Sequence, residues 1–232
     1  MPTFVLIHSP LVGPYTWQPV ATVLTARGHK AVVPVLVNGA LPFWSGHVRS
    51  IVEAFDSSAR GAVPILVAHS GAGPLLPAAR QAIPGPIAGY VFVDAPLPRD
   101  GRSRLEMFGS KPEADVMRAA ARGGLLPTWG ADFDEPTWQE LIPGEQARQR
   151  FRAELKPTPL LVYEEPLMVF SGWPDAPCAY VQLSAPYAAS ANEARNLGWD
   201  TKSLGGNHLQ MVSEPERVAG VLIDIATGFR AR

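Results

Sequence analysis

The chain reads Ala62-Val63-Pro64-Ile65-Leu66-Val67-Ala68-His69-Ser70-Gly71-Ala72-Gly73-Pro74 in the stretch that decides its fold. The apolar run before the serine shows no polar alternation, which is typical of a strand buried on both faces of a parallel sheet. Ser70 lies where this strand ends and a helix is expected to begin. A nucleophilic serine on so sharp a turn tolerates only small side chains two residues before and after it, and Ala68 and Ala72 meet that condition. The stretch predicts a parallel sheet with a candidate nucleophile at one strand end.

The rest of the chain alternates expected strands with expected helices. The strands are Phe4–Ile7, Ala31–Val37, Ile65–Ala68, Ile87–Val93, Cys178–Leu183 and Asp200–Leu204. The helices are Thr16–Arg27, Trp44–Ala59, Gly71–Ile83, Ala188–Leu197 and Pro215–Ala226. Repeated strand–helix units predict an α/β fold, with a six-stranded, mostly parallel sheet and helices on both faces. Ligands of such sheets bind at the carboxyl ends of the strands.

Residues 99–177 interrupt this alternation with turns rich in proline, tryptophan and glycine. Short helices are expected there at Leu105–Met107, Glu113–Arg122 and Pro143–Leu155. We therefore expect a single domain whose core comprises residues 1–98 and 178–232, with a helical cap inserted at 99–177 over the carboxyl edge of the sheet.

The composition excludes several classes of protein. The chain has 232 residues, 47% hydrophobic and 18% charged, and a formal net charge of −1, so charge gives no argument for nucleic acid or an anionic membrane as partner. The lone Cys178 rules out an intramolecular disulfide. Residues 1–7 lack a basic lead, and their apolar run is too short for a signal peptide or a membrane span, so we expect a cytoplasmic protein.

Three side chains at expected strand ends carry the candidate chemistry. Ser70 needs a base to take its proton, and histidine is the side chain suited to that task near neutral pH. His208, in a glycine-rich loop after the last strand, is the candidate base. Asp94, at the end of the fourth strand, is the candidate carboxylate that orients this imidazole. The alternatives are that His208 is an ordinary loop histidine and that Asp94 caps a turn before Pro96.

The other histidines are expected to have supporting roles. His69 packs or shapes the pocket, His8 supports the neighbouring loop, and His29 and His47 are expected to be solvated. No pair of histidines has metal-ligand spacing, so we predict no metal site and no cofactor.

Four motifs occur in an order that resembles a known superfamily. They are Phe4–His8 with Trp17 nine residues beyond the histidine, Gly28-His29-Lys30, Ser70 in its turn, and Gly205-Gly206-Asn207-His208-Leu209-Gln210. Together they resemble the α/β-hydrolase superfamily, and within it the plant-type hydroxynitrile lyases and small methyl esterases. The resemblance covers the N-terminal third and the C-terminal quarter well and the middle poorly. It implies an α/β-hydrolase fold, with Ser70 as nucleophile, His208 as general base and the Gly71 N–H as one oxyanion donor.

The acid of the implied triad departs from the family pattern. The family places this acid in the loop after the fifth strand, but residues 184–187 contain no Asp or Glu, and the next acidic residue is Glu193. Asp94 is therefore the expected substitute, since some members of the superfamily supply the acid from the preceding strand. Asp175 and Asp200 are weaker candidates.

The oxyanion loop departs as well, at Pro10. In the family the second oxyanion N–H comes from this position, and proline has no N–H. Loss of one donor costs about 10²–10³ in rate. The Ser9 hydroxyl and the Leu11 N–H are the expected replacements, and the sequence does not decide between them.

The expected cap carries aromatic residues that indicate an apolar or aromatic small substrate. Trp129 is the candidate contact, with Trp138, Tyr163 and Trp173 further along, although ordinary packing would also explain each of them. A basic cluster of Arg99, Arg102 and Arg104 reads either as a solvated face or as a site for a substrate carboxylate.

The sequence thus favours a serine hydrolase that cleaves a small apolar ester or thioester through an acyl-enzyme on Ser70. One alternative is a lyase or cyclase that uses Ser70 and His208 for proton transfer, motivated by Pro10. Another is a catalytically silent ligand-binding protein on the same scaffold. The expected partner is a small molecule, with no nucleic acid and no membrane, and a homodimer stays open.

Overall fold

The computed structural model of the protein describes residues 1–108 and 111–230. Within these ranges the strands are β1 (Thr3–Ile7), β2 (Lys30–Val32), β3 (Pro64–His69), β4 (Gly89–Val93), β5 (Arg102–Ser103), β6 (Leu125–Leu126), β7 (Thr158–Pro159), β8 (Pro166–Leu167), β9 (Cys178–Gln182) and β10 (Asp200–Ser203). The α-helices are α1 (Gln18–Ala26), α2 (Phe43–Ala59), α3 (Leu76–Ala82), α4 (Arg104–Phe108), α5 (Lys111–Ala120), α6 (Glu135–Leu141), α7 (Glu145–Ala153), α8 (Leu161–Glu164), α9 (Ala188–Asn196), α10 (Gln210–Ser213) and α11 (Pro215–Arg230). Short 3₁₀ turns occupy Pro14–Thr16, Ser70–Leu75 and Ala185–Tyr187.

Six of these strands form one sheet, in the order β10-β9-β4-β3-β1-β2. Every neighbouring pair in this sheet is parallel. The predicted six-stranded α/β architecture is confirmed, and its sheet is parallel throughout. Ile7 pairs with Ala68, and His69 pairs with Val93, so β1, β3 and β4 end side by side at one edge.

The sheet separates two apolar cores because successive strand residues face opposite sides. Leu6 packs into the core beneath α1 and α11, whereas Ile7 packs into the core beneath α2, α3 and α9. β1, β3 and β4 are buried along their whole length, as the unbroken apolar runs predict for central strands covered on both faces. This buried scaffold fixes the positions of the strand ends.

Several element boundaries differ from the sequence expectation. β2 ends at Val32 rather than Val37, because it is an edge strand paired with β1 over three residues and Pro34 offers no N–H soon after. The helix expected from Gly71 to Ile83 starts as a 3₁₀ turn with Pro74 inside it and becomes α3 at Leu76. The helix α6 was not expected, although Asp134 accepts a hydrogen bond from Thr137 N (2.9 Å) as its N-cap.

His47 corrects another expectation, because it is 1% exposed rather than solvated. It lies on the same face of α2 as Ile51 and Phe55, four and eight residues further on. Its Nε2 donates to Asn38 Oδ1 at 2.8 Å. Burial is the main cause that lowers the pKa of His47 to about 3, so the ring is neutral.

The segment between β4 and β9, called the inserted segment below, contains the two small sheets and helices α4 to α8. β5 pairs with β8, and β6 pairs with β7, both antiparallel. In the described parts of the chain, no helix has both the length and the apolar character needed to cross a membrane.

Candidate active site

Ser70 lies at the first position after β3, with its backbone at a left-handed φ of 54°. A residue other than glycine rarely adopts this conformation, which here reverses the chain and turns the serine away from the sheet. The chain beyond it passes very close to the end of β4. A Cβ on Gly73 would lie 2.5 Å from Pro96 O and 2.9 Å from Ala95 Cβ, so only glycine fits there.

Asp94 and His208 meet across the same edge of the sheet. His208 Nδ1 lies 3.1 Å from Asp94 Oδ2, although 114 residues separate them in sequence. Because Nδ1 faces the carboxylate, it carries the proton in this arrangement, and Nε2 is left for a reacting group. The weaker candidates lie elsewhere: Asp175 binds Arg80 and Tyr90, and Asp200 pairs with Lys202.

Asp94 is fully buried and held by several donors besides His208. Its Oδ1 accepts from Leu183 N at 2.6 Å and from Ser184 N at 3.2 Å, and its Oδ2 accepts from Ser184 Oγ at 2.5 Å. Its φ of 42° is left-handed, like that of Ser70. Asp94 therefore joins the end of β4 to the loop after β9, where the sequence lacks the usual acid.

His69 supports the His208 loop from behind. Its Nε2 donates to the backbone oxygen of His208 at 3.0 Å, and the two rings lie 4.4 Å apart. The Trp17 ring meets His69 edge-on at 6.2 Å. Burial lowers the pKa of His69 well below its ordinary value, so this ring is neutral. His69 thus lies where a shaping residue is expected, with its Nε2 directed at a backbone oxygen.

The loop after β1 lies beside the Ser70–Gly71 peptide. His8 fixes it by donating from Nδ1 to Ser9 O (2.8 Å) and accepting at Nε2 from Leu36 N (3.3 Å), and burial lowers the pKa of His8 to about 4. The Leu11 N–H is directed at Ser9 Oγ, at 3.4 Å. Pro10 is not among the residues that line the Ser70 cavity; its backbone oxygen accepts from Thr158 Oγ1 at 3.3 Å, and the residue lines a neighbouring groove.

Two residues of the inserted segment pack behind this loop, and the sequence reasoning missed their positions. Tyr163 Oη lies 3.2 Å from Ser9 Oγ, and a Cβ on Gly71 would come within 2.6 Å of Tyr163 Oη. Position 71 must therefore stay small. Arg104 is fully buried and donates from Nε to Gly71 O at 2.8 Å, which corrects its reading as part of a solvated face or a substrate contact.

The other two members of the basic cluster form surface ion pairs. Arg99 binds Glu193 at 2.9 Å and Arg102 binds Glu106 at 2.8 Å, and all four side chains are at least 40% exposed. Burial lowers the pKa of Arg104 to about 10, so its guanidinium remains charged at neutral pH. The three arginines are thus close in the sequence, but each has a different partner in the fold.

Tyr187 is the site residue that no sequence motif identified. Its Oη lies 3.3 Å from Ser70 Oγ, and its ring is parallel to the His208 imidazole with centroids 5.0 Å apart. Among the hydrogen bonds of the described residues, none joins Ser70 Oγ to the His208 ring. The one available signal is position, because Tyr187 comes from the loop after β9 that carries the acid in the resembled family.

Ser70 opens into a cavity of about 310 Å³. Its lining comprises Ser9, Leu11, Val12, His69, Ser70, Met117, Trp129, Tyr187, His208 and Leu209. A more apolar groove of about 490 Å³ continues from it and shares Leu11, Met117 and Trp129. Trp129 also packs edge-on against Phe133 at 5.3 Å. The structure therefore brings the sequence-predicted residues Ser70, His208, Ser9, Leu11, His69 and Trp129 to one cavity.

Two plant proteins of known sequence are similar to this chain. Esterase PIR7B of Oryza sativa subsp. japonica is 25% identical over 263 residues, covering 97% of this chain and 96% of the rice protein. Putative methylesterase 11, chloroplastic, of Arabidopsis thaliana is 26% identical over 154 residues, which are 60% of this chain and 39% of that protein. These similarities confirm the methyl esterase side of the resemblance.

One solved structure and one family profile also match most of this chain. The structure is an extracellular α/β-hydrolase from a Paenibacillus species, said to share structural and functional homology with tobacco salicylic acid binding protein 2. It superposes with a TM-score of 0.77 at 21% identity, and the match covers 97% of this chain and 99% of the Paenibacillus chain. The profile of the alpha/beta hydrolase family matches residues 4–221. Because this match runs from β1 into α11, the chain belongs to the alpha/beta hydrolase family.

Proposed function

We propose that this hydrolase cleaves a small apolar carboxylic ester or thioester through an acyl-enzyme on Ser70. One observation carries the proposal: Ser70 stands on a left-handed turn in the same cavity as His208, whose Nδ1 is 3.1 Å from the buried carboxylate of Asp94. A hydroxyl, an imidazole and a carboxylate in this order are the groups that acyl transfer through a serine requires.

The chemistry follows from these positions. Ser70 Oγ attacks the carbonyl carbon while its proton passes to His208 Nε2, and Asp94 stabilises the imidazolium that forms. The Gly71 N–H and the Ser9 hydroxyl face the oxygen that becomes negative, with Ser9 taking the place of the donor that Pro10 lacks. His208 then gives its proton to the departing alcohol or thiol. Water attacks the acyl-enzyme in the same way, with His208 as the base, and the acid is released.

Ser70 Oγ must exchange its hydrogen-bond partner before the first step of this reaction. In the resting arrangement Ser70 Oγ contacts Tyr187 Oη, and rotation about the Ser70 Cα–Cβ bond directs it towards His208. Such a rearrangement is ordinary, since catalytic hydrogen bonds often tighten only when substrate is bound.

The substrate class is inferred from the cavity and supported by the relatives. The groove beyond Ser70 is lined by Leu126, Trp129 and Phe133, among other apolar groups, which suits an apolar acyl or aromatic group. The relatives are named esterase and methylesterase, which agrees with ester hydrolysis.

The test uses p-nitrophenyl butyrate as an activated ester. We expect Ser70→Ala and His208→Ala each to abolish turnover, and a fluorophosphonate to label Ser70 once per chain. Asp94→Asn should lower kcat by about 10⁴, because the amide no longer favours the productive tautomer of His208. The matched control is Asp200→Asn, whose side chain pairs with Lys202 on β10 and should leave turnover unchanged.

Two results would contradict this mechanism. Wild-type rates in both Ser70→Ala and His208→Ala would show that neither group acts. If the enzyme still turns over a substrate but the fluorophosphonate does not label Ser70, proton-transfer chemistry is favoured instead, as in a lyase or cyclase. Pro10 keeps this second function open, because a site with fewer backbone donors stabilises an oxyanion less well.

A further inference from the structure

Tyr187 has a place in the site that the mechanism above does not use. Its hydroxyl lies 3.3 Å from Ser70 Oγ, and its ring lies within 2° of parallel to the imidazole of His208. Tyr187 also lines the Ser70 cavity, so its hydroxyl and a bound substrate share that space. A group in contact with the nucleophile is within reach of the atoms that become bonded to it.

Ser70 has two groups of neighbours. The first is the Gly71 peptide with Ser9, whose Oγ is 3.1 Å from the position that a Cβ on Gly71 would take. The second is His208, on whose imidazole the Tyr187 ring is stacked. In the proposed mechanism the oxyanion binds to the first group, and the departing oxygen lies at the second, because His208 must protonate it.

We infer that the Tyr187 hydroxyl donates a hydrogen bond to the leaving-group oxygen of the ester. The inference rests on the ester hydrolysis proposed above and adds a second donor to the His208 side of the site. It also assigns a function to the loop after β9. Because Asp94 supplies the carboxylate from the end of β4, this loop does not need an acid, and it carries the Tyr187 hydroxyl instead.

The step balances without any further group. The bond between Ser70 Oγ and the carbonyl carbon forms as the serine proton passes to His208 Nε2. The bond from that carbon to the alcohol oxygen then breaks, and His208 returns the proton to the oxygen. Tyr187 keeps its own proton throughout and stabilises the negative charge that develops on the oxygen before the proton arrives. Burial raises the pKa of Tyr187 above its ordinary value, which keeps this donor protonated at neutral pH.

The test compares two esters of one acid, p-nitrophenyl butyrate and benzyl butyrate, in wild type and Tyr187→Phe. A nitrophenolate leaves without assistance, whereas a benzyl alkoxide depends on donors. We expect Tyr187→Phe to lower the ratio of kcat/KM for the benzyl ester to kcat/KM for the nitrophenyl ester by about tenfold to a hundredfold, the range of a hydrogen bond to a charged group. The ratio of the two values does not depend on how much of the variant is folded, and phenylalanine keeps the ring on His208.

The control variant is Tyr90→Phe, which removes a hydroxyl bonded to Asp175 (2.6 Å) away from the site and should leave the ratio unchanged. Equal losses for both esters in Tyr187→Phe would mean that the tyrosine only positions Ser70 or His208 and would overturn the inference, as would no loss for either. If wild type hydrolyses neither ester, the proposed function itself fails, which is a separate result.

Discussion

Ser70 and Asp94 are the non-glycine residues, among those the structure describes, that have a left-handed φ. They follow directly on β3 and β4, which are neighbours in the sheet. Each such conformation costs on the order of 1–3 kcal/mol, so the surroundings must hold it. Close packing at Gly73 holds the first, and the hydrogen bonds from Leu183 and Ser184 hold the second. Strain and candidate chemistry therefore coincide at two adjacent strand ends.

His47 provides a residue-scale prediction about pH. In the folded chain burial holds its pKa at about 3, whereas in the unfolded chain it is about 6.5. Between these values the unfolded chain binds a proton that the folded chain refuses, so the free energy of unfolding falls as pH falls below about 6.5. His8, with a pKa of about 4, acts in the same direction. The contribution of these two rings to the free energy of unfolding is thus greatest above pH 6.5 and is lost on acidification.

Urea unfolding at pH 7, 6 and 5 measures this contribution in wild type and His47→Gln. The variant cannot take up the proton on unfolding, so its stability should fall less steeply with acidification, by up to about 1.4 kcal/mol per pH unit. Thr22→Ala, an exposed substitution on α1, is the control and should keep the wild-type slope. Parallel slopes in wild type and His47→Gln would contradict the assignment of a neutral buried ring.

The residue-level outcome shows what one sequence can and cannot reveal. The meeting of Ser70, His208 and Asp94 could be expected because parallel strands bring their carboxyl ends to one edge, a rule that needs no side-chain detail. The burial of Arg104 and the position of Tyr187 beside Ser70 were not predicted, because they depend on which way a loop folds after a strand. His47 was within reach of sequence reasoning, since its spacing of four and eight residues from Ile51 and Phe55 already places it on the apolar face of α2.

At the scale of elements, the start of α2 depends on a residue from the inserted segment. The N-cap position is Pro42, whose side chain makes no capping bond. Glu165, between α8 and β8, instead accepts hydrogen bonds from Phe43 N at 2.6 Å and from Trp44 N at 3.1 Å. A carboxylate there satisfies two helix N–H groups and complements the helix dipole.

We expect Glu165→Ala to lower the free energy of unfolding by about 1–2 kcal/mol, the range for loss of a helix cap, as measured by urea denaturation. The adjacent Glu164→Ala is the matched control, because Glu164 makes a partly exposed ion pair with Arg118 at 3.0 Å. Its loss should cost less than about 1 kcal/mol. Equal effects of the two substitutions would mean that Glu165 does not cap α2.

Element boundaries were predicted best where burial decides them and worst where a single backbone group does. The central strands were found from their apolar runs, and α11 was expected at Pro215–Ala226 and continues to Arg230. The early end of β2 depends on the missing N–H of Pro34 at an edge, and α6 depends on the Asp134 cap. Neither produces an apolar pattern, although Asp134 followed by Pro136 is a recognisable helix start.

For the whole molecule, the important relation is that between the inserted segment and the sheet edge. Met117 on α5 and Trp129 both line the Ser70 cavity and the apolar groove beyond it. The candidate chemistry thus comes from the sheet, whereas the size of the apolar space comes largely from residues 99–177. A change in that segment should alter which ester is preferred without altering the reaction.

This separation leads to a prediction about acyl length. If the acyl group occupies the groove, kcat/KM for p-nitrophenyl esters should rise from acetyl towards octanoyl by about fourfold per buried methylene, since each contributes about 0.8 kcal/mol. Met117→Trp should close the passage and remove this rise, because the indole fills space shared by cavity and groove, while acetyl ester turnover persists. Leu197→Trp, at an exposed position after α9, is the control and should keep the wild-type profile. A flat profile in wild type, or the same rise in Met117→Trp, would place the acyl group outside the groove and leave the groove to the alcohol.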